Sequence, residues 1–570
     1  MSSRRLLIAT AALVVAAALV VGAHQVAAPK DSSLAGVMPA GALLYIEAPD
    51  FRSLLADWSN SPEKQSWLAS DNYAVFSQSR LFGRLSQAQT EFATAAGVPP
   101  DMSFMTQIAG KESAFAWYDI GKLEFLYITR IPPGAFTQST LWQSRGKFEA
   151  RRSGNVDFYL RTDPESQRTV CFAAVNDLVV LGTREDLVVD ALSLIGGIQG
   201  RPLKEESWYA DGVATAKAPG DLRMVLNLEK LVPSPYFRSY WIQQNITEMK
   251  QYRAAISDLY RGKESYREER VLLRRNVADT VTASVDIGPL AAAVPSGVGS
   301  FRAIAAPSPK AALEILKNKL LDPRPHAEAS YTYAPPAPET DQSPGPASDF
   351  ETHIDRAPAE PKLADPWQPL QTILEGAHVN GLLVCESSAA QPVDSFTRFR
   401  SALVLSAEHD WDAAQLKSAL SAALETQVTT AHLGLEWTDR DGYAEFDGLL
   451  PLLLQVHGKY LTLSTDAALL LALQDKPGRK TIGSEAAVYA SGFNHAQESA
   501  NFQRITTFLD RAGMRGGSAE SDNPNEPRRP AFFSGNIASF SRVFDKISSE
   551  SIIVHDSGAK VTQTVTYQWQ

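Results

Sequence analysis

The chain predicts an α+β fold: two related units of antiparallel sheet with flanking helices, preceded by an N-terminal signal or anchor helix. Three observations predict it. A strand–turn–strand–helix segment occurs twice. The first copy runs from Val175-Asn176-Asp177-Leu178 to Thr183 and on through Leu187, Val188, Ala191 and Leu192; the second runs from His457-Gly458-Lys459-Tyr460 to Thr465 and on through Leu469, Leu470 and Leu473. Short apolar runs such as Ser113–Tyr118 and Leu123–Ile131 flank a turn, Asp119-Ile120-Gly121-Lys122, as paired strands do. An uncharged run from Leu6 to Ala23, broken only by Thr10 and Gly22, follows Arg4 and Arg5 in the order of an export signal.

Residues 1–28 are therefore assigned to a signal peptide or membrane anchor. The run of residues 6–23 lies near the roughly 18-residue lower limit for a spanning helix. Cleavage before His24 and retention as a single anchor both fit, whereas Pro29 opposes a cut after Ala28. Two arginines ahead of the run and none close behind it place the body across the membrane from the N-terminus. The expected location is the inner membrane with a periplasmic body, or the periplasm after cleavage. No cysteine follows the run, so a lipoprotein anchor is not expected.

The 570 residues are enough for more than one core, and a formal charge of −10 argues against a nucleic-acid partner. Cys171 and Cys385 are the only cysteines; both sit in apolar runs and read as buried small side chains, with a bridge left open.

The first α+β unit is expected over 38–235. Its opening strand, Ala42–Glu47, ends at Pro49-Asp50, and Asp50 caps a helix whose apolar face is Phe51, Leu54, Leu55 and Trp58. A second helix is expected over 73–95. Thr183 with Asp186 forms the pattern of a capping box. Over 236–330 the sequence predicts an insert made of a long charged helix, Ser239–Arg275, followed by strands at Asp279–Ile287 and Phe301–Ala306. Residues 331–368, rich in Pro, Glu, Asp and Ser, read as a disordered linker, and 513–530 as a disordered loop.

The second unit, 369–570, repeats the first: Gly381–Glu386 matches Ser113–Tyr118, and Arg400–Ala407 matches Phe125–Ile131. Asp412 opens a helix bearing Leu416, Leu420 and Leu424, and a hairpin crosses Asp439–Gly442. The chain closes on a strand with Val561, Val565, Tyr567 and Trp569 on one face.

Candidate sites reduce to structural explanations. Gly110-Lys111-Glu112-Ser113 lacks the earlier glycine of a phosphate loop and carries Glu112 where the magnesium-holding hydroxyl belongs. Gly297-Val298-Gly299 begins a dinucleotide pattern, but Arg302 stands at the third glycine position. Asp439-Arg440-Asp441-Gly442 hints at calcium, yet Tyr443, Ala444 and Leu450 occupy ligand or glycine positions of such a loop. His409-Asp410-Trp411-Asp412 combines imidazole and carboxylates, although acids there also suit a helix start. There is no GxSxG and no HExxH. No catalytic, cofactor-binding or metal-binding residue is assigned, and no cofactor is expected.

Ala42–Asp50, Asn176–Thr183, the run Asp119–Phe125 and the closing Thr562–Trp569 resemble an uncharacterised family of bacterial exported proteins, a domain of unknown function with acidobacterial-type members. The resemblance implies export and a repeated α+β fold and supplies no catalytic residues. The leading expectation is a non-enzymatic binding or scaffold module of the cell envelope, with an apolar ligand or an envelope protein as partner. The alternatives are a periplasmic hydrolase whose residues, such as His409, Asp412 and Glu436, converge only in the fold, and an envelope assembly factor docking through the 239–275 helix.

Overall fold

The computed structural model describes residues 33–234 (without 199 and several positions between 62 and 79), 249–277, 286–321, 365–389, 398–428, 436–446, 451–474, 486–498 and 547–569. The expected signal or anchor segment, nearly all of the linker and the 513–530 loop lie outside the described residues. Among the described residues no helix is long and apolar enough to cross a membrane. The fold is mixed α+β, with antiparallel sheet as its framework. The chain divides into two compact units, Met1–Ala278 with Ala559–Thr564 and Asp279–Gly558 with Val565–Gln570.

In the first unit the strands are β1 (Leu44–Ala48), β2 (Ser113–Asp119), β3 (Glu124–Arg130), β4 (Glu149–Ser153), β5 (Val156–Thr162), β6 (Thr169–Val175), β7 (Leu178–Gly182), β8 (Leu222–Asn227), β9 (Tyr252–Arg261) and β10 (Ser265–Arg274). They pair antiparallel in the spatial order β4-β5-β6-β7-β3-β2-β1-β8-β9-β10. Side chains alternate between faces with period two, so each face acquires its own core. Ala114, Ala116, Leu126, Ile128, Cys171 and Val180 point to one face. Helix α1 (Phe51–Asn60) follows β1, with the Asp50 side chain accepting the Ser53 N–H at 3.0 Å. The helices α2 (Arg80–Ala96) and α3 (Met102–Ile108) pack Phe92, Ala95, Phe104 and Ile108 onto the opposite face, against Tyr127, Phe172, Val179 and Leu181. Helix α4 (Glu185–Ile195) buries Leu187, Val188, Ala191 and Leu192 on the first face.

In the second unit the strands are β11 (Ser300–Ala305), β12 (Val379–Ala389), β13 (Arg398–Ala407), β14 (Trp437–Arg440), β15 (Tyr443–Phe446), β16 (Leu452–His457), β17 (Tyr460–Ser464), β18 (Tyr489–Asn494) and β19 (Ile547–Asp556). Their spatial order is β14-β15-β16-β17-β13-β12-β11-β18-β19. One face, with Leu382, Val384, Leu403, Leu405, Leu461 and Leu463, packs against helices α5 (Pro309–Leu316), α6 (Gln368–Ala377) and α7 (Ala413–Val428). The other, with Leu383, Cys385, Ala402 and Val404, receives Leu469 and Leu473 of helix α8 (Ala467–Gln474). The final strand, β20 (Lys560–Trp569), buries Val561 and Val565 and leaves Tyr567 and Trp569 half-buried.

Two sequence expectations need correction. Over its described part, 249–275, the charged stretch is not a long helix: β9 and β10 form an antiparallel hairpin joined at Gly262-Lys263-Glu264, and 239–248 lie outside the described residues. Its charges pair at a spacing of two, Arg270 with Glu268 at 2.6 Å and Arg267 with Glu269 at 3.1 Å. That spacing shares one face of a strand, whereas helix neighbours lie three or four apart. The docking helix of the assembly-factor alternative falls with it. Thr183 does not cap α4 either: the N-cap is Arg184, without a side-chain bond, and the Thr183 Oγ1 accepts the Phe125 N–H at 2.9 Å. A strand neighbour thus takes the hydroxyl that the capping-box pattern reserves for the helix.

Candidate functional site

An apolar cavity of about 340 Å³ lies in the first unit, between α2 and α3 on one side and strands β2, β3 and β7 on the other. Its walls combine aliphatic side chains such as Leu85, Met105 and Leu181 with six rings: Phe92 and Phe104 from the helices, Phe115, Trp117, Phe125 and Tyr127 from the β2–β3 hairpin. The hairpin delivers them by simple alternation, 115 with 117 and 125 with 127, each pair on one face of its strand. Asp101 caps α3 by accepting the Phe104 N–H at 2.9 Å, which fixes where that ring enters. The Phe125 ring stacks against Phe115 with centroids 5.2 Å apart and against Phe92 at 6.2 Å, while Trp117 meets Phe115 edge-on at 5.6 Å. These are the offset-stacked and T-shaped geometries that a ring quadrupole favours.

The polar atoms of the cavity wall are largely engaged. The Tyr127 hydroxyl lies 3.0 Å from the Ile108 carbonyl and 3.2 Å from Ser113 Oγ, and burial pushes its phenol pKa up. Thr183 is bonded to the Phe125 backbone. The Arg168 guanidinium donates to Glu91 at 2.7 Å and to the Lys122 carbonyl at 2.7 Å, and the side chains of Arg168 and Glu91 are 11% and 15% exposed. Gln89, on the exposed side of α2, is the remaining polar lining residue.

A second hollow, about 370 Å³, is lined by Glu47, Lys111, Glu112 and Arg130 among others. Arg130 is held by Glu112 at 2.6 Å and Asp177 at 3.0 Å. Burial raises the Glu47 pKa, against the opposing hydrogen bond from the Tyr45 hydroxyl at 2.9 Å and the attraction of Arg223. Arg223 in turn forms a bidentate buried pair with Asp258, at 2.7 and 2.8 Å.

The sequence candidates are placed as structural elements. A Cβ on Gly110 would lie 2.2 Å from the Arg130 carbonyl oxygen, so close backbone approach explains that glycine. A Cβ on Gly299 would lie 1.9 Å from Glu498 Oε1, a buried carboxylate that binds the Ser388 backbone and hydroxyl. Asp441-Gly442 forms the tip of the β14–β15 hairpin, with Gly442 at φ 87°. Asp412 Oδ1 accepts the N–H groups of Ala414 and Gln415 at the start of α7, and the His409 ring packs edge-on against His378 at 5.4 Å. Among the described residues no group of three metal-ligating side chains comes together. Cys171 and Cys385 are free and buried, and burial pushes both thiols up, Cys385 to about 12. Sequence reasoning does not single out these lining residues. The signal it passed over was the Phe115/Trp117 and Phe125/Tyr127 alternation on two adjacent strands.

No protein-family model matches the chain, and no curated protein matches it. Among solved structures it is similar to TP0453 in crystal form I, at 15% identity over 44% of this chain and 82% of that one, with a TM-score of 0.24. Crystal form IV of TP0453 gives 12% identity over 42% and 79%, with a TM-score of 0.23. A likeness at that level assigns neither fold family nor function.

Proposed function

We propose that this chain is an exported, non-enzymatic binding protein of the cell envelope whose first unit takes up an apolar small molecule. The observation that carries the reading is the ring-lined cavity of about 340 Å³. Its size falls within the range of ligand pockets, and its walls supply apolar surface with few polar groups, as such pockets do. Export rests on Arg4, Arg5 and the uncharged run Leu6–Ala23, and the resemblance to an exported bacterial family points the same way. Native mass spectrometry of the full chain, followed by solvent extraction, tests the reading. The expected result is a bound apolar mass that Ala88→Trp, which fills the cavity, displaces. A wild-type chain free of bound mass that also takes up no added apolar probe would refute it.

The reading includes a tandem duplication of one sheet-and-helix unit. Several bonds recur at matched positions in support of it. Thr183 donates to the Phe125 carbonyl at 3.1 Å and accepts its N–H at 2.9 Å; Thr465 does the same with Ser401 at 2.9 and 3.0 Å. The Asn227 N–H donates to Leu43 and its side chain accepts the Lys230 N–H at 3.2 Å; Asn494 donates to Gly299 and accepts the Gln497 N–H at 3.1 Å. The turns before β7 and β17 both contain a left-handed residue, Asn176 at φ 55° and Gly458 at φ 54°.

A further inference from the structure

We infer that the cavity of the first unit selects uncharged, ring-bearing ligands, and that Glu91 sets this selectivity by holding Arg168. The inference rests on the reading of the cavity as a ligand site and concerns what that site admits. Among the described residues Arg168 is the one cation in the cavity lining, and it is the group to which an anionic ligand would be drawn. It is already engaged: one arm of the guanidinium donates to the Glu91 carboxylate and the other to the Lys122 carbonyl. Arg84 lies 3.8 Å from the second Glu91 oxygen and adds positive charge on that side of the carboxylate. A carboxylate, phosphate or sulfonate entering the cavity would lose its hydration and meet the negative charge of Glu91 beside a guanidinium whose charge is already paired. An uncharged ligand has no such loss. The walls add a preference for flat rings, because Phe92, Phe125 and Phe115 form a stacked series that a ligand ring can extend, with the Trp117 edge beside it.

N-phenyl-1-naphthylamine and 8-anilino-1-naphthalenesulfonate share one ring framework and differ by a sulfonate. Titrated into the full chain and followed by fluorescence, the neutral probe should bind at least tenfold more tightly than the anionic one. Glu91→Gln, which releases the guanidinium, should shrink that ratio at least tenfold by tightening the sulfonate, and the gain should fade with added salt. Arg168→Gln combined with Glu91→Gln should remove the gain, which separates a charge effect from a loosened helix; circular dichroism and a thermal melt on each variant report folding. In competition, 2-naphthol should displace the neutral probe at lower concentration than 1-decanol, which has the same carbon count. If neither probe enters the wild-type chain, the ligand-site reading itself fails. If both bind alike, or if the ratio stays put in a folded Glu91→Gln chain, the reading stands and the role of Glu91 is overturned. Equal displacement by the two alcohols overturns the ring preference.

Discussion

The two units follow one strand order and fill it differently. β1 between β2 and β8 corresponds to β11 between β12 and β18, with Leu44 and Ser300 at matched register points. From that register Tyr45 corresponds to Phe301 and Glu47 to Ala303. Across the next pairing, Arg223 opposite Asp258 corresponds to Ala490 opposite Ile553. The first unit thus carries a buried polar cluster at positions where the second is apolar. On the other face the difference is one of shape: Phe115, Phe125 and Tyr127 stand where the second unit has Val384, Ser401 and Leu403. In the second unit that face is packed by aliphatic side chains such as Leu316, Leu374 and Leu420. The lesson is that the framework does not need the ion pair or the rings. Residues a scaffold can dispense with are those free to take on a second task.

The largest expected effect concerns the ion pair. Asp258→Ala alone strands the Arg223 charge, which is 4% exposed, and should cost about 3–5 kcal/mol in a urea unfolding curve. The double change Arg223→Ala with Asp258→Ile installs the second unit's residues and should be neutral or stabilising by about 1–4 kcal/mol. A double change as costly as the single one would break the comparison.

Next come the rings. Phe115→Val and Tyr127→Leu, each the second unit's residue, should cost about 1–3 kcal/mol by removing buried wall atoms. Each should also weaken the neutral probe several-fold in the fluorescence titration. Smaller again is the matched threonine: Thr183→Val and Thr465→Val each leave one strand N–H without its partner, a loss of about 1–3 kcal/mol. Because the bonds are alike, both losses should fall in that range. A large loss in one unit and none in the other would weaken the duplication.

The smallest effect is a pH dependence. Burial raises the Glu47 pKa, so the native state holds that proton more tightly than the unfolded chain does. The associated stability is full below the ordinary carboxylate range and is lost as pH rises through the raised value. Glu47→Gln should therefore flatten the wild-type decline in that window, as judged from melting temperatures measured across pH. A variant with the wild-type slope would assign the dependence elsewhere.

Much of the framework was legible in the sequence because local chemistry dictates it. A left-handed turn residue between apolar runs, Asn176-Asp177 or Gly458-Lys459, announces a hairpin, and Asp50 and Asp412 announce helix starts. The β9–β10 hairpin is hidden by its charges, which suit a solvated helix equally well; only their pairing at a spacing of two marks a strand. The cavity was hidden for another reason. Its rings come from separate segments, Phe92 and Phe104 on helices and four more on a hairpin, and only the register of β2 against β3 brings them together. The engagement of Arg168 by Glu91, 77 residues apart, has no local signature at all.

Everything proposed for this chain depends on the ring-lined space in the first unit being a binding site. Titration of N-phenyl-1-naphthylamine into the wild-type chain and into Ala88→Trp tests it most directly. Saturable binding at a single site is expected in the wild type, with at least a tenfold loss in the folded variant. Binding that fails to saturate, or that Ala88→Trp leaves intact, would contradict it.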